Sequence, residues 1–442
     1  MDQLLQDGQE VHLVASGISC VVERLLGAGG QGEVYEARLE SRPVALKWYY
    51  SQAPDKDRQQ AEVLMSLIKR GAPDKRFLWP MDLATCGDPP GFGYVMPLRE
   101  SRFHSIVDLM KSRVDPSIRA LATAGFDLAE SYLNLHSHGL CYRDISFGNA
   151  FLDPDSGDVR ICDCDNVTVN GDTNVSVLGT PRFMAPEIVR GDAYPSTQTD
   201  LWSLAVLLFY FFHTGHPLEG QMEANIKCLD LKAMNWLYGD KPVFVFDPQD
   251  ASNRPVPGYH DSVLQSWPTY PLFLRNLFTK AFTDGVRDPQ NGRVRESEWR
   301  QAMIRLRDSI LLCGGCKAEN FYDVDAMKAS GGQAPPCWSC KAQLRLPFRM
   351  KIGSSIVMLN YDTKLYPHHI DDSKLYDFSV PAAEITRHPS DPKVWGLKNL
   401  TQEKWVSTGP DGTVKDVPPG RSVTLASGTK VNFGKNQAEI RY

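Results

Sequence analysis

Two pairs of cysteines, Cys313-Gly-Gly-Cys316 and Cys337-Trp-Ser-Cys340, are separated by the twenty residues 317–336. Each Cys-x-x-Cys turn can clip one edge of a tetrahedron, and together they have the two-knuckle spacing of a four-thiolate zinc ribbon. Four thiolates leave no coordination position for a reactive water, so the expected chemistry is structural or adhesive. A second group, Gly27-Ala-Gly29-Gly-Gln-Gly32, fits G-x-G-x-x-G. Glycines there let backbone N–H groups approach phosphate oxygens without interference from Cβ. An ordinary hairpin turn would also use them, and a dinucleotide-binding turn shares the pattern but runs on into a helix. Here Val34–Leu39 continues as strand-like sequence, which suits a flap over phosphates.

Periodicity supplies the elements that must carry these residues. Residues 11–48 alternate short apolar runs with glycine turns and read as a β-meander. Ala61, Leu64, Met65 and Ile68 have helical spacing after Pro54, and Tyr94-Val-Met96 reads as a strand. From Pro116 to about Arg307 helical periodicity dominates. Residues 314–347 are rich in Cys, Gly and Pro, and residues 356–442 in Val, Thr, Trp and glycine turns. The expected order is a small β-lobe with one helix, a helical lobe, a knuckle module and a β-rich domain.

Val44-Ala-Leu-Lys47, on the strand after the glycines, resembles the V-A-I-K element of protein kinases, and the order of everything downstream agrees. Tyr142-Arg-Asp144-Ile-Ser-Phe-Gly-Asn149 matches the catalytic loop H-R-D-x-x-x-x-N with Tyr142 in the His position. Asp163-Cys-Asp165 occupies the slot of D-F-G, and Ala185-Pro-Glu187 matches A-P-E. The resemblance implies an α+β chain: a bilobal protein-kinase fold over 11–307, with lobes 11–99 and 100–307, then a zinc ribbon over 308–346 and an all-β sandwich-like domain over 347–442.

By that resemblance the chain is a Ser/Thr protein kinase that uses ATP, Mg²⁺ and a structural Zn²⁺. Gly27, Gly29, Gly32, Val34, Ala45, Met96 and Leu98 would surround the nucleotide. Lys47 would contact its α/β-phosphates and pair with an acid of the following helix, Glu62. Asp144 would orient the acceptor hydroxyl, while Asn149 and Asp163 would hold Mg²⁺. Asp165 reads as a solvated turn residue, with a second cation ligand as the alternative. Asp200 is expected to support the catalytic-loop backbone, and Arg293 to pair with Glu187 in the interior.

Departures from the pattern matter too. Ser146 stands where Ser/Thr members carry a Lys, and Cys164 is too small for the Phe site. These changes make a nucleotide-binding pseudokinase scaffold the alternative. Gly148 lacks the Arg typical of tyrosine kinases, and Thr180-Pro181 resembles the substrate-side loop of Ser/Thr kinases. Arg143 could bind a phosphate on the activation segment, at Thr168, Thr173 or Ser176. Cys162 and Cys164 read as small packing groups. The C-terminal stretches 394–401, 419–425 and 428–434 are weakly similar to forkhead-associated β-sandwiches. Thr386-Arg-His388 has the wrong spacing for the phosphothreonine-reading Arg and Ser-x-x-His, so a docking scaffold is expected. The tandem order also resembles kinases of bacterial stress operons that act beside a phosphatase and a von Willebrand-type protein.

Composition bounds the rest. A chain of 442 residues suits two or three domains, and 42% apolar with 23% charged residues is ordinary globular usage. A net charge of −5 argues against nucleic-acid binding through bulk charge, which disfavours nucleic-acid sensing by the ribbon. The first ten residues lack the apolar core of a secretory signal. The longest apolar run, Leu201–Phe212, falls short of the roughly 20 residues that cross a bilayer. With cysteines spaced for metal rather than disulfides, a cytoplasmic chain without a membrane partner is expected.

Overall fold

The computed structural model describes residues 3–51, 53–87, 90–173 and 177–442. Ser176 lies outside them. The chain divides into two compact units, 1–267 with 276–301, and 268–275 with 302–442.

In the first unit six strands close into a barrel, ordered β1-β2-β3-β4-β6-β5. They are β1 (Glu10–Leu13), β2 (Ser19–Ala28), β3 (Gly32–Leu39), β4 (Arg42–Tyr49), β5 (Asp82–Gly87) and β6 (Pro90–Pro97). Side chains alternate across the pleat, so Val11, Leu13, Cys20, Val22, Tyr35, Ala37, Val44, Leu46 and Trp48 fill the barrel. The glycine motif joins two antiparallel strands, with Gly27 paired to Val34 and Ala28 to Glu33. Helix α1 (Pro54–Arg70) starts at a proline, carries Asp55 and Asp57 in its first turn and Lys69 and Arg70 in its last, and ends at Gly71 with φ 77°. It buries Leu64 and Leu67. Met65, expected at a helically spaced apolar position, is 48% exposed.

The helical lobe of this unit is built on α2 (Ile106–Met110), α3 (Ile118–Ser137), α4 (Pro186–Val189) and α5 (Thr197–His213). Ser196 and Thr199 cap α5 reciprocally, and from Thr199 to His213 every residue is buried. A helix apolar on all sides belongs in an interior. Short strands position the loops between helices: β7 (His104–Ser105), β8 (Leu140–Cys141), β9 (Ala150–Leu152), β10 (Val159–Ile161) and β11 (Thr168–Val169). β9 pairs with β10, and β8 with β11.

The second unit begins its knuckle module with the pair β12 (Ile310–Leu312) and β13 (Glu319–Phe321). Ten strands then form a sandwich. One sheet, ordered β15-β14-β23-β22-β19-β20, comprises β14 (Arg349–Ile352), β15 (Ser355–Met358), β19 (Trp405–Thr408), β20 (Val414–Val417), β22 (Lys430–Asn432) and β23 (Gln437–Arg441). The other, β16-β17-β18-β21, comprises β16 (Lys364–Leu365), β17 (Ala383–Arg387), β18 (Trp395–Asn399) and β21 (Ser422–Thr424). Met350, Val431 and Ile440 of the first sheet share a core with Leu365, Leu397 and Val423 of the second.

The expected boundary near residue 346 does not separate compact units. Leu311 and Leu344 of the knuckle module bury against Met358 of β15 in one apolar cluster. A module of some forty residues has too little core of its own to stand apart. Among the described residues no helix is long and apolar enough to cross a membrane.

Candidate active site

The β9–β10 hairpin sets the geometry. Ala150 pairs with Ile161, and the Cys162 N–H donates to the Asn149 carbonyl at 3.0 Å, so Asn149 and Asp163 leave the hairpin at the same end. Asp144 is held from two sides: Thr180 Oγ1 donates to its Oδ1 at 2.7 Å, and Asn149 Nδ2 to its Oδ2 at 3.1 Å and its carbonyl at 2.9 Å. Burial pushes the Asp144 carboxyl above its ordinary range, with the Thr180 and Asn149 hydrogen bonds pulling against it. Such a carboxylate can accept a hydrogen bond from an incoming hydroxyl.

The backbone leading to Asp144 is strained, with Arg143 at φ 73°. Asp200, at the start of α5, stabilises it by accepting the Tyr142 and Arg143 N–H groups at 2.5 and 3.0 Å. The Tyr142 hydroxyl donates to the Cys162 carbonyl, tying the loop to the residue before Asp163. Tyrosine in the His position therefore supplies a donor at this tie. Arg143 donates its Nε to the Asn166 carbonyl. Of the proposed phosphate acceptors, Thr168 is bound to Asp172 at 3.0 Å and Thr173 is exposed.

Lys47 does not pair with Glu62. Glu62 is exposed on α1, whereas Lys47, 4% exposed, donates to Asp165 Oδ2 at 2.8 Å and lies 3.5 Å from Asp163 Oδ1. Gln31 Oε1, at the tip of the glycine turn, accepts from Lys47 at 3.1 Å. Nor is Asp165 a solvated turn residue: its side chain is 1% exposed and also accepts the Tyr49 and Tyr94 hydroxyls at 2.6 and 3.0 Å. Burial alone would raise Asp165, but the Lys47 charge and these hydrogen bonds hold it below the usual carboxylate range. The Lys47 ammonium, which burial would destabilise, is held protonated by Asp165 and Asp163. Sequence reading missed this cluster, although period-2 alternation puts Lys47 and Tyr49 on one face of β4.

Around Lys47, Ala45 pairs with Met96 across β4 and β6, and Val34, Leu98 and Cys162 pack into the same apolar cluster. That gathers four of the expected nucleotide-lining residues. Gly32 is required by packing, since a Cβ there would meet the Trp48 carbonyl oxygen at 2.0 Å. Gly27 and Gly29 face open space. The donor set suits Mg²⁺, a hard cation that takes oxygen ligands. Asp163 keeps 36% of its side chain exposed, and Asn149, whose Nδ2 is committed to Asp144, retains its amide oxygen.

In the second unit the sulfurs of Cys313, Cys316, Cys337 and Cys340 all lie within 4.8 Å of one another. The Cys313–Cys340 and Cys316–Cys337 separations are 3.6 and 3.7 Å. Four sulfurs about 2.3 Å from one Zn²⁺ in a tetrahedron would stand roughly 3.8 Å apart, so the set fits. The two knuckles are built alike: Lys317 N–H returns to the Cys313 carbonyl and Lys341 N–H to that of Cys337, with both lysines left-handed at φ 65° and 61°. Asn320 Nδ2 donates to Cys337 Sγ at 3.5 Å. Burial raises the Cys337 thiol, but the knuckle N–H groups and Asn320 bring it down to about 6, favouring the thiolate a metal needs.

Comparison with known proteins finds a family match inside the first unit. Residues 104–255 match the protein kinase domain family. The chain is 29% identical over 216 residues to the DNA damage-responsive serine/threonine-protein kinase RqkA of Deinococcus radiodurans, covering 46% of this chain and 31% of the relative. It is 30% identical over 185 residues to protein kinase gsk3 of Schizosaccharomyces pombe, covering 37% and 48%. It is 41% identical over 88 residues to the protein kinase C zeta type of Oryctolagus cuniculus, covering 19% and 15%. The chain thus spans less than half the length of each of these relatives. Asp144, Asn149, Asp163 and Glu187 all fall inside the segment that matches the protein kinase domain family.

Proposed function

We propose that this chain transfers the γ-phosphoryl group of ATP to Ser or Thr hydroxyls of a protein substrate, with residues 11–307 as the catalytic domain. The observation that carries this reading is Asp144, held between the Thr180 hydroxyl and the Asn149 amide at the end of the hairpin that also presents Asp163. Phosphoryl transfer depends on positioning and charge neutralisation more than on covalent chemistry. Lys47 would bind the α/β-phosphates and Asp144 would accept or orient the acceptor proton. Asn149 and Asp163 would hold Mg²⁺, which when bound neutralises the β/γ-phosphate charge. Val34, Ala45, Met96 and Leu98 would take the base. Thr180 against Asp144, and Gly148 in place of an arginine, favour an aliphatic hydroxyl as acceptor.

The four cysteines are proposed to hold one structural Zn²⁺ within 308–346. The sandwich over 347–442 is proposed as a forkhead-associated-like docking domain that does not read phosphothreonine. Its nearest counterpart to the phosphate-reading arginine, Arg387, stacks on Trp395 at 4.6 Å. A cytoplasmic setting, with a phosphatase and a von Willebrand-type protein as partners, completes the reading.

Labelled ATP with Mg²⁺ and a panel of protein acceptors tests the activity. Phosphoserine or phosphothreonine should form, and Asp144→Asn should lower turnover roughly 10² to 10⁴-fold while leaving ATP affinity near wild type. Asp163→Asn should weaken Mg·ATP binding as well. Asp144→Asn transferring phosphate at the wild-type rate would end the assignment. ATP binding without transfer to any acceptor would favour the pseudokinase scaffold.

A further inference from the structure

The counter-ion of Lys47 comes from an unexpected element. Lys47 and Tyr49 share a face of β4, and Tyr94 lies directly opposite Lys47 on β6. The ammonium and both hydroxyls converge on Asp165, with Lys47 and Tyr49 on Oδ2 at 2.8 and 2.6 Å and Tyr94 on Oδ1 at 3.0 Å. A carboxylate this buried is tolerated only when donors replace its water, and three do so here. Helix α1 supplies no acid to the group. From α1, Gln60 Nε2 donates to the Tyr49 hydroxyl at 3.4 Å. A cavity of about 540 Å³, lined by Gln60 and Val63 of α1 and by Arg143, Asp165 and Asn166, opens between the helix and the turn that carries Asp165.

We propose that Asp165, braced by Tyr49 and Tyr94, is the positioning residue that orients Lys47 toward the nucleotide phosphates in place of an acid on α1. The inference rests on the kinase reading above. The two neighbouring carboxylates then divide the work. Asp163, partly exposed and 3.5 Å from Lys47, remains available to a cation, while Asp165, 1% exposed, is committed to the lysine. The charged and hydroxyl groups that place Lys47 thus come from β4, β6 and the turn after β10.

The test uses the full chain with fluorescent Mg·ATP-analogue titration, steady-state phosphotransfer and urea unfolding of the nucleotide-free protein. Asp165→Asn and Lys47→Met should each lower kcat/KM for ATP by about 10²-fold, as a misplaced phosphate contact does. The double variant should fall no more than about 3-fold further, because the two residues act as one unit. The unfolding midpoints should be non-additive in the same sense without any nucleotide. Tyr49→Phe with Tyr94→Phe removes only hydroxyls, so it stands in should Asp165→Asn fail to fold, and is expected to lose about 10-fold. Glu62→Gln should stay within about 2-fold of wild type. Glu62→Gln matching Lys47→Met, or independent multiplicative losses in the double variant, would overturn the inference while leaving the kinase reading intact. A wild type that binds no Mg·ATP would overturn both.

Discussion

Asp200 accepts the backbone N–H groups of Tyr142 and Arg143, so one carboxylate at the start of α5 holds two consecutive peptides of the loop that ends in Asp144. Its carboxylate is 1% exposed, and the second of those peptides belongs to a residue at φ 73°. Asp200→Asn replaces one acceptor oxygen by an amide that can only donate, leaving a buried N–H unsatisfied. That should cost about 1–3 kcal/mol of stability. Turnover should fall more than ATP affinity, since the loop and not the nucleotide pocket is released. Urea unfolding and nucleotide titration on the same variant check both expectations.

The same carboxylate makes the fold sensitive to alkaline pH. His136 lies between Asp200, 3.1 Å from its Nε2, and Glu296 at its Nδ1. Burial by itself lowers the imidazole, but the two carboxylates raise it to about 9. With an unfolded value of about 6.5, the stabilisation is fully present below pH ~6.5 and is lost as pH rises through about 9. The loss is on the order of 3 kcal/mol. Urea midpoints measured from pH 6 to 10 should decline more steeply for wild type than for His136→Gln. Parallel profiles would count against the assignment.

Glu187 and Arg293 form a buried pair at 2.8 Å, with side chains 12% and 2% exposed. Arg293 also donates to the Gln198 carbonyl at 2.7 Å, binding the residues around Glu187 to the start of α5. Removing one partner leaves a buried charge without compensation, a change that costs about 3–5 kcal/mol. Glu187→Gln should therefore lower the melting temperature by several degrees. Replacing both residues with apolar side chains of similar volume should recover part of the loss.

One zinc per chain is expected by elemental analysis of protein purified without added metal. Cys316→Ser should lose it, and chelation should destabilise the second unit, because Leu311, Leu344 and Met358 pack around the knuckles. Full zinc retention by Cys316→Ser would contradict the four-cysteine site.

Local pattern carried much of this protein. Alternation in β1–β4, the apolar run of α5, the paired Cys-x-x-Cys turns and the spacing of Tyr142-Arg-Asp144 to Asn149 are all properties of short segments. Pleat, helical turn and knuckle are set by neighbours in the chain, so residue types a few positions apart disclose them. The pairing of Arg293 with Glu187 was also legible, though only through resemblance. What the linear sequence could not decide was the identity of Lys47's partner. Glu62 and Asp165 are both carboxylates at plausible places, and a one-dimensional reading favours the acid on the adjacent helix. The choice depends on whether α1 brings its acidic face inward and whether other donors wait at the competing position. The barrel turns Tyr49 and Tyr94 toward Asp165, and α1 buries Leu64 and Leu67 instead of Glu62. Desolvating a carboxylate is affordable only where several donors converge, and convergence of residues 47, 49, 94 and 165 is a property of the packed fold alone.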